Sequence, residues 1–164
     1  MKNRIIYIIG VSGSGKSTIA RLLADQLGIP FADADDFHPA SNVEKMSRGI
    51  PLQDEDRVGW LVAIHEYAVG QLAKQGAVIA CSALKERYRQ TLQAEMGHQV
   101  DWVYLKGSFD LIKARMQQRE NHFMPDSLLE SQFDALEEPQ NAFVVDISKE
   151  PMELLKEILG FFEK

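Results

Sequence analysis

The chain has 164 residues, 45% of them apolar, and a formal charge of −6. That length supports one substantial core and one domain rather than two. The acidic balance argues against a nucleic-acid backbone or an anionic membrane as the main partner, since both select a basic surface. The single cysteine, Cys81, excludes an internal disulfide and reads as a buried free thiol, so nothing depends on an oxidising compartment. The opening "IIYIIG" follows two basic residues, but it is short and runs into a polar, glycine-rich loop without a small-residue cleavage pattern. No other run approaches the ~18 apolar residues of a membrane span. A cytoplasmic protein with a small soluble partner is expected.

In chain order, two kinds of segment alternate. "RIIYIIG" (4–10), "IPFAD" (29–33), "AVIAC" (77–81), "DWVYLKG" (101–107) and "FVVDI" (143–147) are short and rich in β-branched or aromatic residues, as buried strands are. Helical spacing fills the intervals, with Ile19, Leu22, Leu23 and Leu27 in 17–27 and Leu61, Ile64, Ala68 and Leu72 in 58–74. In the tail, Met152, Leu155, Ile158, Leu159 and Phe162 repeat the pattern. The alternation predicts an α/β fold, a parallel sheet with helices on both faces. No repeat or low-complexity tract interrupts it. Two polar segments, 47–57 and 119–127, lie within reach of the strand ends where ligands bind in such sheets, and these are the parts expected to move.

The strongest chemical signal is "GVSGSGKS", Gly10 to Ser17, a full match to G-x-x-x-x-G-K-[ST] between a β-rich run and an amphipathic helix. Gly10, Gly13 and Gly15 allow backbone N–H groups to turn toward a polyphosphate. The helix opening near Lys16 adds its positive end. Lys16 supplies a full charge to the β and γ phosphates, and Ser17 offers a hydroxyl to magnesium. With Val11, Ser12, Ser14 and Thr18 these residues form the expected ATP-binding stretch, and ATP and Mg2+ are the implied cofactors.

A P-loop names the donor, not the acceptor. "DRVG", Asp56 to Gly59, matches the D-x-x-G of a GTPase switch, yet it opens a helix and no Asn-Lys-x-Asp or Thr-Lys-x-Asp guanine motif occurs. A mechanical ATPase would carry an acid at the end of a buried strand. "AVIAC" ends instead in Cys81 and Ser82, and the acid stands after "IPF", at Asp33. That relocation points to the small kinases.

"DADDFHP", "PLQDEDRVGW", "CSALKERYR", "YLKG" and "HFMPDSLLESQFDALEEP" follow one another as in the small bacterial gluconate kinases, and from Gly10 to about Asp146 the chain resembles that family. The P-loop alone is widely shared; D-x-D-x-x-H-P together with C-S-A-L-K and H-F-x-P is specific. The resemblance implies a three-layer fold like that of nucleoside monophosphate kinases and a five-stranded parallel sheet. It also implies one domain with an acceptor-binding helical part at about 37–75 and a lid at about 117–128. Its implied activity is transfer of the ATP γ-phosphate to D-gluconate. Shikimate kinases are expected to carry a glycine run after the third strand, where this chain has Ser82 and Ala83. The remaining alternatives are a shikimate or nucleoside monophosphate kinase and, outside enzymes, a nucleotide-dependent binding module. A homodimer is the usual family assembly, although spacing alone locates no apolar patch.

The resemblance also distributes the site. Asp33 and Asp35, two apart, would share one side of an extended strand end. Asp33 is assigned to the magnesium side and Asp35 to the acceptor hydroxyl as positioning group or general base; Asp36 starts a helix or faces solvent. His38 either bonds the polyol or fixes the entry to the next helix. Arg57 could form a surface ion pair, but the resemblance favours a two-pronged clamp on the acceptor carboxylate. Ser82 joins this set. Lys85 and Arg89, four apart on the following helix, could each hold the sugar acid. Arg115 and Arg119 form a second such pair. Arg119 is expected on the transferring phosphoryl group and Arg115 near the adenine, against the alternative of a solvated helix face. His122, Phe123 and Met124 belong to the expected lid tip, and Trp60 and Trp102 read as packing.

Overall fold

The computed structural model describes residues 3–118 and 126–163, with the side chain of residue 126 excepted. Five strands, β1 (Ile5–Ile9), β2 (Phe31–Asp33), β3 (Ala77–Ala80), β4 (Val100–Lys106) and β5 (Phe143–Asp146), form one sheet in the order β2-β3-β1-β4-β5. Every pairing is parallel. Among the described residues seven α-helices accompany them: α1 (Lys16–Leu27), α2 (Ala40–Ser47), α3 (Asp54–Leu72), α4 (Glu86–Gln93), α5 (Phe109–Gln117), α6 (Asp126–Ala135) and α7 (Pro151–Phe162).

The central strands β1 and β3 are buried on both faces, as the interior of a parallel sheet requires. Ile6 and Ile8 of β1, with Val78, Val103 and Val145, pack under α1, α5 and α7. Ile5, Tyr7 and Ile9 point the other way, into a second core with Trp60, Ile64 and Leu92 from α3 and α4. Tyr7 stacks on Trp102 at 4.6 Å and donates its hydroxyl to the Leu92 carbonyl at 3.0 Å. No helix among the described residues is long and apolar enough to cross a membrane.

Three boundaries differ from the expected ones, each for a local reason. α3 starts at Asp54, not at 58. Asp54, Glu55 and Asp56 fill its first turn, where carboxylates favour the helix dipole, and Asp56 Oδ2 accepts from the Gln53 N–H at 2.8 Å. After β2 the chain does not stay extended. Asp33 caps a 3-10 turn over Ala34–Phe37, its Oδ1 accepting from the Asp35 N–H at 3.0 Å, so the helix-starting acid is Asp33 rather than Asp36. α4 begins one residue beyond Lys85, which stands at its N-cap.

The register sets Ile8, Ala80 and Asp33 at one level across three neighbouring strands. The carboxyl ends of β1, β3 and β2 therefore open together on one edge of the sheet, the location at which ligands bind in open α/β sheets.

Candidate active site

At that edge lies a cavity of about 650 Å³. One wall is the P-loop. Gly13 (φ +80°) and Gly15 (φ +94°) adopt left-handed angles that side chains disfavour. A Cβ on Gly13 would also stand 2.7 Å from Met116 Cγ, whereas one on Gly15 would meet nothing within 4 Å. The hollow over Gly15 is thus open space held by backbone geometry. No side chain among the described residues caps α1, and its first turn carries no acid, so its N–H groups are left to an anion. Lys16 Nζ donates to the Val11 carbonyl at 2.9 Å. Burial depresses the Lys16 pKa, while Asp35, Cys81 and Asp33 pull it back. A polyphosphate would supply the counter-charge this ammonium needs.

Ser17, in the first turn of α1, donates its hydroxyl to Asp33 Oδ2 at 2.7 Å. One hydroxyl and one carboxylate beside a phosphate cradle suit magnesium, which binds through few protein groups and keeps phosphate oxygens and water as its other ligands. No three His, Cys, Asp or Glu among the described residues are placed to hold a metal ion together, so a dedicated all-protein metal cage is not offered there.

Asp35 opens onto the same cavity. Its carboxyl is exposed within that space, yet surrounding protein displaces enough hydration to raise its pKa. Asp33 and Asp36 add like charge, and Lys16 opposes them. Cys81 forms part of the wall as an inert thiol, its pKa pushed up to about 12 by burial.

The opposite wall comes from 38–60. His38 lies flat on Trp60, ring centroids 4.5 Å apart and 7° from parallel, and Trp60 Nε1 donates to the Ala34 carbonyl at 2.7 Å. Asn42, 2% exposed, determines the imidazole tautomer. Its amide nitrogen is 2.7 Å from the Asp56 carbonyl, which only accepts, and 3.2 Å from His38 Nδ1. Nδ1 therefore accepts and Nε2 carries the proton. Burial and the nearby Arg57 charge lower the His38 pKa to about 4, so the ring is a neutral donor. Arg57 lines the cavity with its guanidinium 5.5 Å from the Tyr88 ring centroid. Two acids of its own turn pair with other cations, Asp54 with Arg87 and Lys85 and Asp56 with Lys45 at 2.8 Å.

The structure thus brings Ser12, Gly13, Gly15, Lys16, Ser17 and Thr18 to one cavity with Asp33, Asp35, His38, Arg57 and Ser82. Gly10, Val11 and Ser14 lie beneath it, Ser14 and Val11 buried at 3% exposure. Arg89 does not join them. It too is 3% exposed, and its guanidinium donates to the Ala83 carbonyl at 2.6 Å, to the Glu137 carbonyl at 2.7 Å and to Glu86 Oε2 at 3.1 Å. These contacts turn it inward, tying α4 to the chain after α6, which corrects its expected place on the acceptor. Lys85 is outside the cavity wall, 3.6 Å from Asp54 and over Tyr88. Arg115 donates to the Ile147 carbonyl in the loop after β5 and is not among the residues lining the cavity. Arg119, His122, Phe123 and Met124 lie outside the described residues. Sequence reasoning passed over Asn42, Gln132 and the ring partnership of Trp60, because amides and aromatics inside helices carry no spacing signal.

A doubly flanked parallel sheet with a P-loop, a Ser–Asp pair and an acceptor cavity at its carboxyl edge defines a P-loop small-molecule kinase. Comparison with known proteins narrows the class. A family model described as shikimate kinase matches residues 12–162. The thermosensitive gluconokinase of Escherichia coli is 46% identical over 141 residues, 85% of this chain and 75% of that protein. The gluconokinase of Gluconobacter oxydans is 42% identical over 167 residues, 99% of this chain and 93% of that one. The crystal structure of a gluconokinase from Sinorhizobium meliloti superposes with a TM-score of 0.89 at 40% identity, covering 97% of this chain and 91% of that one. The chain belongs to the gluconokinase family, within the shikimate kinase-like group of P-loop kinases.

Proposed function

We propose that this protein transfers the γ-phosphate of ATP to the 6-hydroxyl of D-gluconate, releasing 6-phospho-D-gluconate and ADP. One observation carries the reading: Asp35 stands in a single cavity between the P-loop and the His38–Arg57 wall, where an acceptor hydroxyl and a phosphate tail would meet. ATP is the donor suited to the P-loop, and magnesium, beside Ser17 and Asp33, would neutralise phosphate charge when bound.

The chain's own residues do the rest. Lys16 and the α1 amides hold the phosphate tail. Arg57 engages the acceptor carboxylate as a planar fork. His38 donates Nε2–H to a hydroxyl of the polyol. Asp35 accepts the hydrogen bond of the attacking hydroxyl, aligns it for in-line attack and takes its proton. Its raised pKa improves it as a base, though positioning and electrostatics supply most of the acceleration in phosphoryl transfer. The helical segment 37–75 serves as the acceptor-binding part. A cytoplasmic setting, where ATP is available, and a homodimer complete the proposal.

A coupled ADP-release assay with gluconate, other aldonates, shikimate, nucleoside monophosphates and no acceptor tests this function. Release that depends on gluconate supports it. Activity with shikimate and none with any aldonate would reject the acceptor, and release without any acceptor would reject the kinase reading.

A further inference from the structure

A side chain from α6 grips the P-loop at one residue. The Ser12 N–H donates to Gln132 Oε1 at 2.7 Å, and Gln132 Nε2 donates to Ser12 Oγ at 2.9 Å, across 120 positions of sequence. The amide orientation is determined: a backbone N–H can face only the carbonyl oxygen, which leaves the NH2 group facing the hydroxyl. Because Ser12 Oγ accepts from Gln132, its own proton is left to be donated elsewhere. Both residues line the cavity that holds Lys16 and Asp35. Ser12 also follows Val11, whose carbonyl receives the Lys16 ammonium. The free hydroxyl proton is therefore left to a partner in the cavity that Ser12 shares with Lys16 and Asp35.

We propose that Gln132 is a positioning residue for phosphoryl transfer: by donating to Ser12 Oγ and accepting from Ser12 N–H, it turns the Ser12 hydroxyl into a fixed donor to the terminal phosphoryl group. A serine hydroxyl can otherwise rotate and spend its proton on a backbone carbonyl. Fixed in advance, it meets charge growing on the transferring group without reorganisation. ADP has no such group, so the contact discriminates between the two nucleotides.

The inference rests on the P-loop being the ATP site, which ADP binding to the wild-type protein checks separately. Calorimetric titration with ADP and with a non-hydrolysable ATP analogue, together with kcat and KM, reads the effect. Gln132→Leu, similar in volume but without the amide, is expected to lower kcat and weaken the analogue about tenfold, the scale of one hydrogen bond to a charged group, with ADP affinity within about twofold. Gln132→Glu keeps an acceptor for the Ser12 N–H, so it serves if the leucine variant folds poorly. The glutamate draws the Ser12 proton toward itself and adds negative charge, and it is expected to weaken the analogue still more selectively. In a Ser12→Ala background, Gln132→Leu should cost no more than about a further twofold. Equal losses for ADP and the analogue, an unchanged kcat, or losses that multiply in the double variant would overturn the proposal while leaving the ATP site intact. A wild-type protein that fails to bind ADP would remove the nucleotide reading itself, and this inference with it.

Discussion

Ser17 Oγ donates to Asp33 Oδ2 at 2.7 Å, joining the first turn of α1 to the last residue of β2. The same carboxylate caps the next turn through its other oxygen, accepting from the Asp35 N–H. Asp33 thus orients the proposed magnesium hydroxyl and the backbone of the proposed base together. Asp33→Asn retains a carbonyl oxygen for the cap and loses the charge. It is expected to raise the Mg2+ concentration for half-maximal velocity about 10–100-fold, as removal of a metal's supporting groups does elsewhere. A magnesium titration of initial rates reads this directly, and an unshifted midpoint would take Asp33 out of the metal site.

Asp35→Asn should slow turnover and stabilise the unliganded protein at the same time. The folded-state pKa of Asp35 is raised above its ordinary value of 3.8, by burial first and by Asp33 second. Below the unfolded pKa both states are protonated and the group contributes nothing. As pH rises toward the folded pKa, the folded state binds more protons than the unfolded one, so stability declines, and above it the full cost remains. Asparagine removes that cost. Its melting temperature should exceed the wild type's at pH 7 by at most a few degrees, and the two should converge near pH 4. Loss of a general base predicts a kcat lower by about 10²–10⁴. A slow variant no more stable than wild type at pH 7 would disprove the strain on this carboxyl.

Arg57 is the proposed acceptor-side cation, and Asp54 and Asp56 beside it both pair with other cations. Arg57→Lys keeps the charge and loses the planar fork, so KM for gluconate should rise about 10–100-fold, the scale of a charge-assisted bidentate contact, while KM for ATP stays within about twofold. The companion measurement uses the uncharged alcohol of the same carbon skeleton, which lacks the carboxylate. Wild type should strongly prefer gluconate over it, and Arg57→Met should nearly erase the preference.

The difference between Arg57 and Arg89 shows what the sequence carries and what it withholds. "RIIYIIG", "GVSGSGKS" and Asp33 are legible because strand burial and phosphate binding are local demands, met by consecutive residues. The i, i+4 spacing of Lys85 and Arg89 says that two side chains share a face if both are helical, but not which face points inward. Here α4 starts after Lys85 and buries Tyr88, Arg89 and Leu92 together. Two of the three partners of Arg89 are main-chain carbonyls, and backbone acceptors leave no signature in residue identity. Gln132 is hidden for a related reason, since its partner Ser12 lies 120 positions away and is met only through the fold.

Arg89→Met is accordingly a stability variant. Methionine fills similar space and leaves the Ala83 and Glu137 carbonyls without their donor, at a cost of about 2–4 kcal/mol. For a chain of this size that lowers the melting temperature by roughly 5–15 °C. KM for gluconate, measured well below the transition, should stay within about twofold of wild type. A large rise in KM with an unchanged melting temperature would restore Arg89 to the acceptor site.

His38 offers the sharpest pH test, because its pKa of about 4 lies well below the ordinary 6.5. As pH falls below 6.5 the unfolded chain takes up a proton that the folded ring refuses, so stability declines until about pH 4, where the folded ring also charges. His38→Phe preserves the stack on Trp60 and abolishes this dependence, so its unfolding free energy should fall less steeply than wild type's between pH 6.5 and 4. The same variant lacks the Nε2–H donor and should raise KM for gluconate about 5–20-fold across neutral pH, with kcat nearly unchanged. His38→Gln, whose amide can replace the donor, should recover part of that loss. Nitrogen NMR of the wild-type ring should find the proton on Nε2 from pH 5.5 to 8.5, because Asn42 occupies Nδ1. A proton on Nδ1, or a ring that titrates near 6.5, would mean that His38 is not held by Asn42 and that its place beside Trp60 is packing alone.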